Sequence, residues 1–268
     1  MQNCFKITIL TLYPEAFPGY LGHALAKKAM EKSLWSLKTI NIRDFALDKH
    51  KKVDDKVFGG GKGLLLKPDV LAWALEYAFN NGASTNLIYP SPKGHMLDQN
   101  LAKDLVFNPI IFQAEFFKEN FIKNSTNFAK NPLTNESSIS DKNDGLTFIC
   151  GHFEGIDERF IEKYKPLEIS IGDYILSGGE LSAMVIIDCA LRWLPNVLNS
   201  EECIREESFA ENLLEYPQYT KPKVWENLGV PEILLSGNHK EIKLWRTNQA
   251  EKKTQQIRPD LWELYRKK

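Results

Sequence analysis

Apolar and polar positions in the first 195 residues predict strands and helices that follow one another in turn. Apolar residues recur at helical spacing in five ranges, which are predicted to be helices: 14–33, 69–79, 97–106, 156–164 and 179–194. Between these ranges lie short runs rich in β-branched and aromatic residues, which are typical of buried strands: "CFKITILTLY", "SLKTINIRDF", "TNLIYPSPKG", "LTFIC" and "LEISIGDY". This alternation predicts an α/β domain with a mainly parallel sheet.

The remaining segments are predicted from their composition. The glycine-dense stretch 48–66 is expected to be a long loop, because such a chain holds neither a helix nor a packed strand. Two prolines and a glycine are expected to end the strand that contains "YPSPKG". Residues 108–144, rich in asparagine, serine and lysine, are interpreted as an insertion that forms a surface loop with one short helix.

The pattern also predicts two domains. Residues 1–198 are expected to form the α/β domain, and residues 199–207 a linker. The last part, residues 208–268, shows only helical patterns and is expected to be a small all-helical domain.

The composition of the 268 residues indicates a globular protein of the cytoplasm. With 43% hydrophobic residues the chain can bury a full core, and its four cysteines include no CxxC pair. A zinc ribbon and a disulfide framework are therefore not expected. No apolar run approaches the ~20 residues that cross a bilayer, and the start lacks the features of a signal peptide, so no membrane partner is expected.

Charge is distributed unevenly along the chain. The net charge of −1 argues against unspecific binding of nucleic acid. From residue 238 to 268, however, nine lysines and arginines stand against four acids, which leaves a local charge of +5. Such a segment is either a solvated helical face or a surface that contacts a polyanion.

Ten of the sixteen glycines cluster at positions 59–63, at 94, and between 151 and 179. Three predicted strand ends share this chemistry: "YPSPKG", "CGHFEG" and "SIGDYILSGG". Glycines there either make tight turns or let a nucleotide-like ligand contact the main chain. Neither GxGxxG nor GxxxxGK[ST] occurs in the required context, which disfavours NAD and ATP. Glu154, Asp173 and Glu180 can accept hydrogen bonds from ribose hydroxyls or an ammonium group, or can act as caps and solvated acids.

Six segments in order resemble the bacterial tRNA (guanine-N1)-methyltransferases of the SPOUT class. They are "RDFALDKHKKVDDKVFGGGKG", "YPSPKGHMLDQ", "CGHFEGIDERF", "SIGDYILSGGELSAMVIIDCALRWLPNVL", "EESFAENLLEYPQYTKP" and "VPEILLSGNHKEIKLWR". The resemblance covers nearly the whole chain outside 108–144. It implies a homodimer whose α/β domain contains a deep trefoil knot that holds S-adenosylmethionine. The cofactor contacts that it implies are Tyr89, Ser91, Gly94, Gly151, Glu154, Ile171, Gly172, Asp173, Tyr174, Ile175, Leu176, Gly178 and Gly179.

The reaction that the resemblance implies is methyl transfer to N1 of guanine at position 37 of tRNA, next to the anticodon. Its general base corresponds to Glu207 and the group that stabilises charge on O6 to Arg192. The family has aspartate where this chain has Glu207, which leaves three possibilities. Glu207 acts with a shifted backbone, the neighbouring Glu206 replaces it, or activity is reduced. As structural alternatives, the two glutamates begin a helix and Arg192 is a helix-end cation.

Further expectations come from the same resemblance. His152 stands where the family often has arginine, and Ser182 where it has proline. The residues expected to contact the tRNA anticodon arm are Arg43, His50, Asp54, Lys243 and Arg246. Magnesium dependence is a family expectation, although no metal-ligand cluster is evident in the sequence. Two rival functions remain at this point: another SPOUT-type RNA methyltransferase, and an RNA-binding protein with weakened catalysis.

Overall fold

The computed structural model describes residues 4–61, 63–108, 145–198, 207–209 and 211–267. The predicted insertion and the predicted linker lie outside the described residues, apart from their end residues 108 and 207. The chain divides into two compact units, Met1–Val197 and Leu198–Lys268.

The described residues of the first unit form seven strands. They are β1 (Phe5–Thr11), β2 (Trp35–Asn41), β3 (Asp54–Lys56), β4 (Leu64–Leu66), β5 (Leu87–Met96), β6 (Gly145–Ile149) and β7 (Leu167–Ser170). Five of them form one sheet in the order β2-β1-β6-β5-β7, and every neighbouring pair is parallel. The predicted α/β fold with a mainly parallel sheet is confirmed.

The described residues of this unit form five α-helices: α1 (Ala24–Glu31), α2 (Pro68–Asn80), α3 (Gln99–Phe107), α4 (Glu158–Tyr164) and α5 (Glu180–Leu191). The first four lie between strands along the chain, and α5 follows β7. The carboxylates of Asp98 and Asp157 cap α3 and α4 by accepting hydrogen bonds from main-chain N–H groups of their first turns. The helix predicted over 14–33 is broken into two 3-10 turns and α1. Pro18 and Gly19, whose φ is +52°, interrupt it.

Both faces of the sheet are buried, as is usual for parallel sheets covered by helices. Alternate residues of one strand belong to different apolar layers: Ile9 packs into one layer and Leu10 into the other. Helices α1, α3 and α5 contribute to the first layer, and α2 and α4 to the second. The sheet is therefore held between two helical layers, with the carboxyl ends of its strands along one edge.

The predictions for 48–66 and for the end of β5 were partly wrong. Strands β3 and β4 lie on either side of the glycines and pair as an antiparallel hairpin. On its other side, β4 forms a parallel bridge from Leu66 to Ile156, so this short strand has two pairing partners. Strand β5 continues through its prolines. Both Pro90 and His95 pair with Ile169, so residues 91–94 bulge out of the ladder, where a missing N–H costs nothing.

The second unit contains α6 (His239–Ile257) and α7 (Pro259–Arg266), and also the hairpin β8 (Val224–Trp225) and β9 (Leu228–Gly229). It is therefore not purely helical, contrary to the prediction. Glu226 and Asn227, with φ of +49° and +67°, form a two-residue turn whose twist suits a hairpin. The extended chain before the hairpin is fastened to α6 where Leu214 N–H donates to Thr254 Oγ1 over 2.7 Å.

Candidate functional site

The three glycine-rich chain ends meet beyond the carboxyl edge of the sheet and enclose a cleft of about 350 Å³. This volume lies within the range of small-molecule sites, and the position is the usual ligand site of open α/β sheets. Eleven of the thirteen predicted cofactor contacts line the cleft: Tyr89, Ser91, Gly151, Glu154, Ile171, Gly172, Tyr174, Ile175, Leu176, Gly178 and Gly179.

Gly94 and Asp173 are not among the lining residues. A side chain at Gly94 would collide with the main chain of Glu168 and Ile169, so this glycine serves the contact between β5 and β7. Asp173 is exposed on the loop that follows β7. Gly94 thus has a packing role in the structure, and its contact with a cofactor stays a prediction.

Main-chain hydrogen bonds place the loop after β6 between two other segments. On one side, Glu154 N–H donates to the Leu64 carbonyl and Leu66 N–H donates to the Gly155 carbonyl, both over 3.0 Å. On the other side, Gly179 N–H donates to the Gly151 carbonyl over 2.9 Å. The loop of residues 151–155 is therefore one wall of the cleft, and both of its neighbours hold it by the main chain.

Two glycines allow this close approach. A Cβ on Gly151 would lie 2.8 Å from the ring of Tyr89, and a Cβ on Gly179 would lie 2.9 Å from Cα of Cys150. Both distances are shorter than ordinary contacts between carbon atoms. Side chains at these positions would push the walls of the cleft apart.

Three carboxylates give the cleft an acidic character: Glu154, Glu158 and Glu168 line it. Burial is the largest cause that raises the pKa of Tyr89 to about 12, and the charges of Glu168 and Glu158 add to it. The phenol therefore stays neutral, and its O–H can donate a hydrogen bond. Glu158 and Glu168 were not among the predicted site residues. Their signal was their place directly beside the quoted motifs, one at the start of the helix after "CGHFEG" and one in the strand before "SIGDY".

Glu180 does not line the cleft but lies beneath its wall and is buried. Its carboxylate accepts a hydrogen bond from Thr11 Oγ1 over 2.6 Å. His152 Nε2 lies 2.8 and 2.9 Å from the two carboxylate oxygens. The negative charge of Glu180 adds to the effect of burial, which raises the pKa of the Cys150 thiol well above its usual value. Glu180 was predicted to accept from a ribose or to act as a cap or solvated acid, and its hydrogen bond with His152 was not predicted.

The two predicted catalytic residues belong to different units. Arg192 follows α5 directly and is half-buried, one turn after Asp188. Burial raises the pKa of Asp188, and the charge of Arg192 opposes that rise. Glu207 is half-buried and lines a groove of the second unit.

The groove has a volume of about 1000 Å³ and lies between the extended chain before the hairpin and α6. The predicted tRNA contacts Lys243 and Arg246 both line it and are exposed. The Arg246 guanidinium lies 4.8 Å from the centre of the Tyr216 ring, and the rings of Tyr219 and Trp245 are 6.4 Å apart. Cations beside aromatic faces are the combination that binds phosphates and unstacked bases.

The other predicted tRNA contacts lie in the first unit. Arg43 is half-buried in the 3-10 turn Ile42–Phe45, His50 is exposed, and Asp54 begins β3. Within the described part of the chain, no three His, Cys, Asp or Glu side chains form a group suited to a metal ion. Among the described helices, none combines the length and apolar character that a bilayer crossing needs.

Comparison with known proteins gives a consistent result. The family described as tRNA (Guanine-1)-methyltransferase TrmD matches residues 5–116 and 118–264. Proteins named tRNA (guanine-N(1)-)-methyltransferase are similar over nearly their full length. The one from Pelagibacter ubique is 47% identical over 98% of this chain and 99% of that protein. The one from Rickettsia bellii is 45% identical over 95% of this chain and 94% of that protein.

Proposed function

The chain belongs to the tRNA (guanine-1)-methyltransferase family, and from this membership we propose how its two units divide the reaction. The protein is a tRNA (guanine-N1)-methyltransferase: it transfers a methyl group to N1 of a guanine in tRNA. The target in our proposal is guanine 37, next to the anticodon. The first unit holds the methyl donor and the second unit grips the anticodon arm.

The cleft at the carboxyl edge of the sheet carries the proposal. Family membership implies S-adenosylmethionine, which supplies a methyl group activated on a sulfonium. The cleft fits this molecule in three respects: its volume, its exposed main chain and its acidic lining. Main-chain groups of 171–179 would contact the adenosine, and the carboxylates of Glu154, Glu158 and Glu168 would attract the cationic part or accept from the ribose. These residues bind and orient; none of them reacts.

We further propose that the first unit is knotted and that the protein is a homodimer. The knot is supported by the loop of residues 151–155, which passes between β4 and the start of α5 with main-chain hydrogen bonds to both. The dimer is supported by α5, which is apolar on nearly all sides although Leu181 and Val185 are exposed. Nearby Tyr20 is 65% exposed, and the adjacent Gly19 packs against Met184 of the same helix. A second copy would cover this apolar face.

Catalysis in our proposal depends on Glu207 and Arg192. Guanine N1 carries a proton at neutral pH, so Glu207 takes that proton as general base. Arg192 donates to O6 of the purine, where negative charge collects as the proton leaves. Glutamate instead of aspartate changes the intrinsic pKa by only about 0.4 unit, so reach and not basicity is the relevant difference. The extra methylene is accommodated by a shift of the backbone around Glu207.

The proposed tRNA surface combines both units. Lys243 and Arg246 neutralise phosphates along the second-unit groove, and the aromatic rings beside them stack on bases. Arg43, His50 and Asp54 contact the arm from the first unit. Magnesium dependence is part of the proposal only as a property expected from the family. We place the enzyme in the cytoplasm, where its tRNA substrate is.

The proposal is tested by calorimetry with S-adenosylmethionine followed by transfer of a tritiated methyl group to tRNA transcripts. Transcripts with guanine or adenine at position 37 form the matched pair. We expect cofactor binding, and transfer to the guanine transcript only. Transfer that ignores the base at position 37 would identify a different RNA methyltransferase. Binding without transfer would identify an RNA-binding protein that has lost its catalytic base.

A further inference from the structure

We propose that His152 is a positioning residue for the cofactor cleft: its hydrogen bond to the buried carboxylate of Glu180 holds the loop of residues 151–155 in its binding conformation. This inference rests on the proposed function, because it concerns the same cleft. It assigns a role to the pair of side chains that the mechanism above does not use.

The direction of this hydrogen bond follows from the chemistry of an ionised carboxylate. Both carboxylate oxygens of Glu180 lie within 2.9 Å of His152 Nε2, and Thr11 Oγ1 donates to one of them. An ionised carboxylate only accepts hydrogen bonds, so Nε2 carries a hydrogen. The carboxylate is thus the common acceptor for donors from two distant parts of the chain, and it lies at the first residue of α5.

The pair joins three elements that form the cleft or support it. Thr11 ends β1, Glu180 begins α5, and His152 lies in the wall after β6. His152 also bridges to Gly178 through the main chain, and its ring lies edge-on to that of Tyr13 at 5.0 Å. The ring of His152 therefore stands between the ligand space and the buried carboxylate.

Among the described side chains, loss of the imidazole would leave the carboxylate with the threonine hydroxyl as its hydrogen-bond donor. A buried carboxylate with too few donors is costly, and the structure relieves that cost by opening so that water can enter. The loop would then leave its closed position for part of the time. When the closed form falls to one molecule in ten, the apparent affinity for a cofactor falls about tenfold.

A positioning role predicts a particular division between binding and turnover. In His152→Leu the affinity for the cofactor should decrease, while the KM for tRNA and the kcat at saturating cofactor stay within about threefold of wild type. Arginine at position 152 should restore the function, because a guanidinium also donates to both oxygens of a carboxylate. The family resemblance likewise places arginine at this position. A residue needed only for folding would not show this division or this rescue.

The experiment compares His152→Leu, His152→Arg and Glu180→Gln with the control His23→Leu, which changes an exposed histidine far from the cleft in sequence. Calorimetry with S-adenosylhomocysteine measures affinity. We expect a dissociation constant at least about tenfold higher for His152→Leu, within threefold of wild type for His152→Arg, and unchanged for the control. The double variant His152→Leu/Glu180→Gln should be no weaker than the worse single variant, because both remove one interaction.

Hydrogen exchange without cofactor provides an independent measurement. The amides of Glu154 and Gly179 donate across the walls of the cleft, and in His152→Leu they should exchange at least tenfold faster than in wild type. Unchanged exchange and affinity in His152→Leu would overturn the inference. A folded His152→Arg as defective as His152→Leu, or a loss confined to kcat, would overturn it too. Failure of the wild type to methylate tRNA would contradict the proposed function alone, since exchange reports on the loop directly.

Discussion

Gly179→Ala is the substitution that tests most directly how the cleft is built. Gly179 has φ of −80°, a conformation that alanine adopts easily, so its effect would come from space alone. The new Cβ would lie 2.9 Å from Cα of Cys150 and 3.0 Å from the main-chain nitrogen of Gly151. Carbon atoms prefer about 3.5–4.0 Å, so the two chain segments must separate by roughly 0.5–1 Å.

Gly179→Ala changes the free energy of unfolding through two destabilising contributions and one stabilising contribution. Overpacking against main chain that cannot rotate away costs about 1–3 kcal/mol. The hydrogen bond from Gly179 to the Gly151 carbonyl weakens, at a further cost of about 0.5–1.5 kcal/mol. Alanine also lowers the conformational entropy of the unfolded chain, which stabilises the folded state by about 0.4–1 kcal/mol. The net destabilisation is about 2 kcal/mol, or a melting temperature lower by about 4–8 °C for a unit of this size.

Scanning calorimetry with and without S-adenosylhomocysteine measures both consequences. The control is Gly22→Ala in the same unit, where the new Cβ meets only the ring of Pro18, at 3.0 Å, and should cost less than about 1 kcal/mol. We expect Gly179→Ala to melt well below the control and to bind the ligand more weakly. A melting temperature within 1 °C of wild type, with normal ligand affinity, would refute the steric account of the cleft.

Three other predictions concern catalysis, stability and tRNA binding. Glu207→Gln should lower single-turnover methyl transfer at least about 100-fold with unchanged S-adenosylhomocysteine affinity, whereas Glu207→Asp keeps or raises it; normal transfer by the glutamine variant would show that Glu207 is not the base. The hydrogen-bonded Arg159 lowers the pKa of Asp157, so this carboxylate stabilises the fold above about pH 4 and loses that effect as pH falls; the melting difference between wild type and Asp157→Asn should shrink below pH 4, and a constant difference would contradict this. Lys243→Ala and Arg246→Ala should each reduce the salt dependence of tRNA affinity by about one unit of slope, and an unchanged slope would remove that residue from the phosphate contacts.

Local patterns in the sequence were sufficient for most of the sheet and helices of the first unit. Runs such as "LTFIC" are apolar except for one threonine, because their strands are buried on both faces, and this property is visible without any partner. The glycines at three strand ends indicated either tight turns or a ligand site between those ends, and the family resemblance supplied the individual contact residues. The structure brings the three ends together at one edge of the sheet. Eleven predicted cofactor contacts line the resulting cleft.

Elements whose existence depends on a distant partner were missed. Strand β4 forms where a short apolar run meets β3 and the chain near Ile156, and "GGGKGLLL" alone shows no sign of either. The prolines of β5 were expected to end the strand. Pro92 is tolerated because residues 91–94 leave the ladder between two pairings with Ile169, and Pro90 takes the first of those pairings at the edge of the bulge.

The sequence by itself determined which segments are strands and helices, which chain ends are bare enough to admit a ligand, and to which family the protein belongs. All of these are carried by residues close together along the chain or by motifs in order. Only the tertiary structure decided that His152, Glu180 and Thr11 form one hydrogen-bonded group. Thr11 is 169 positions from Glu180, and no periodicity extends that far. The strand order β2-β1-β6-β5-β7 brings β1 beside β6, so the end of the first strand lies under the wall of the cleft.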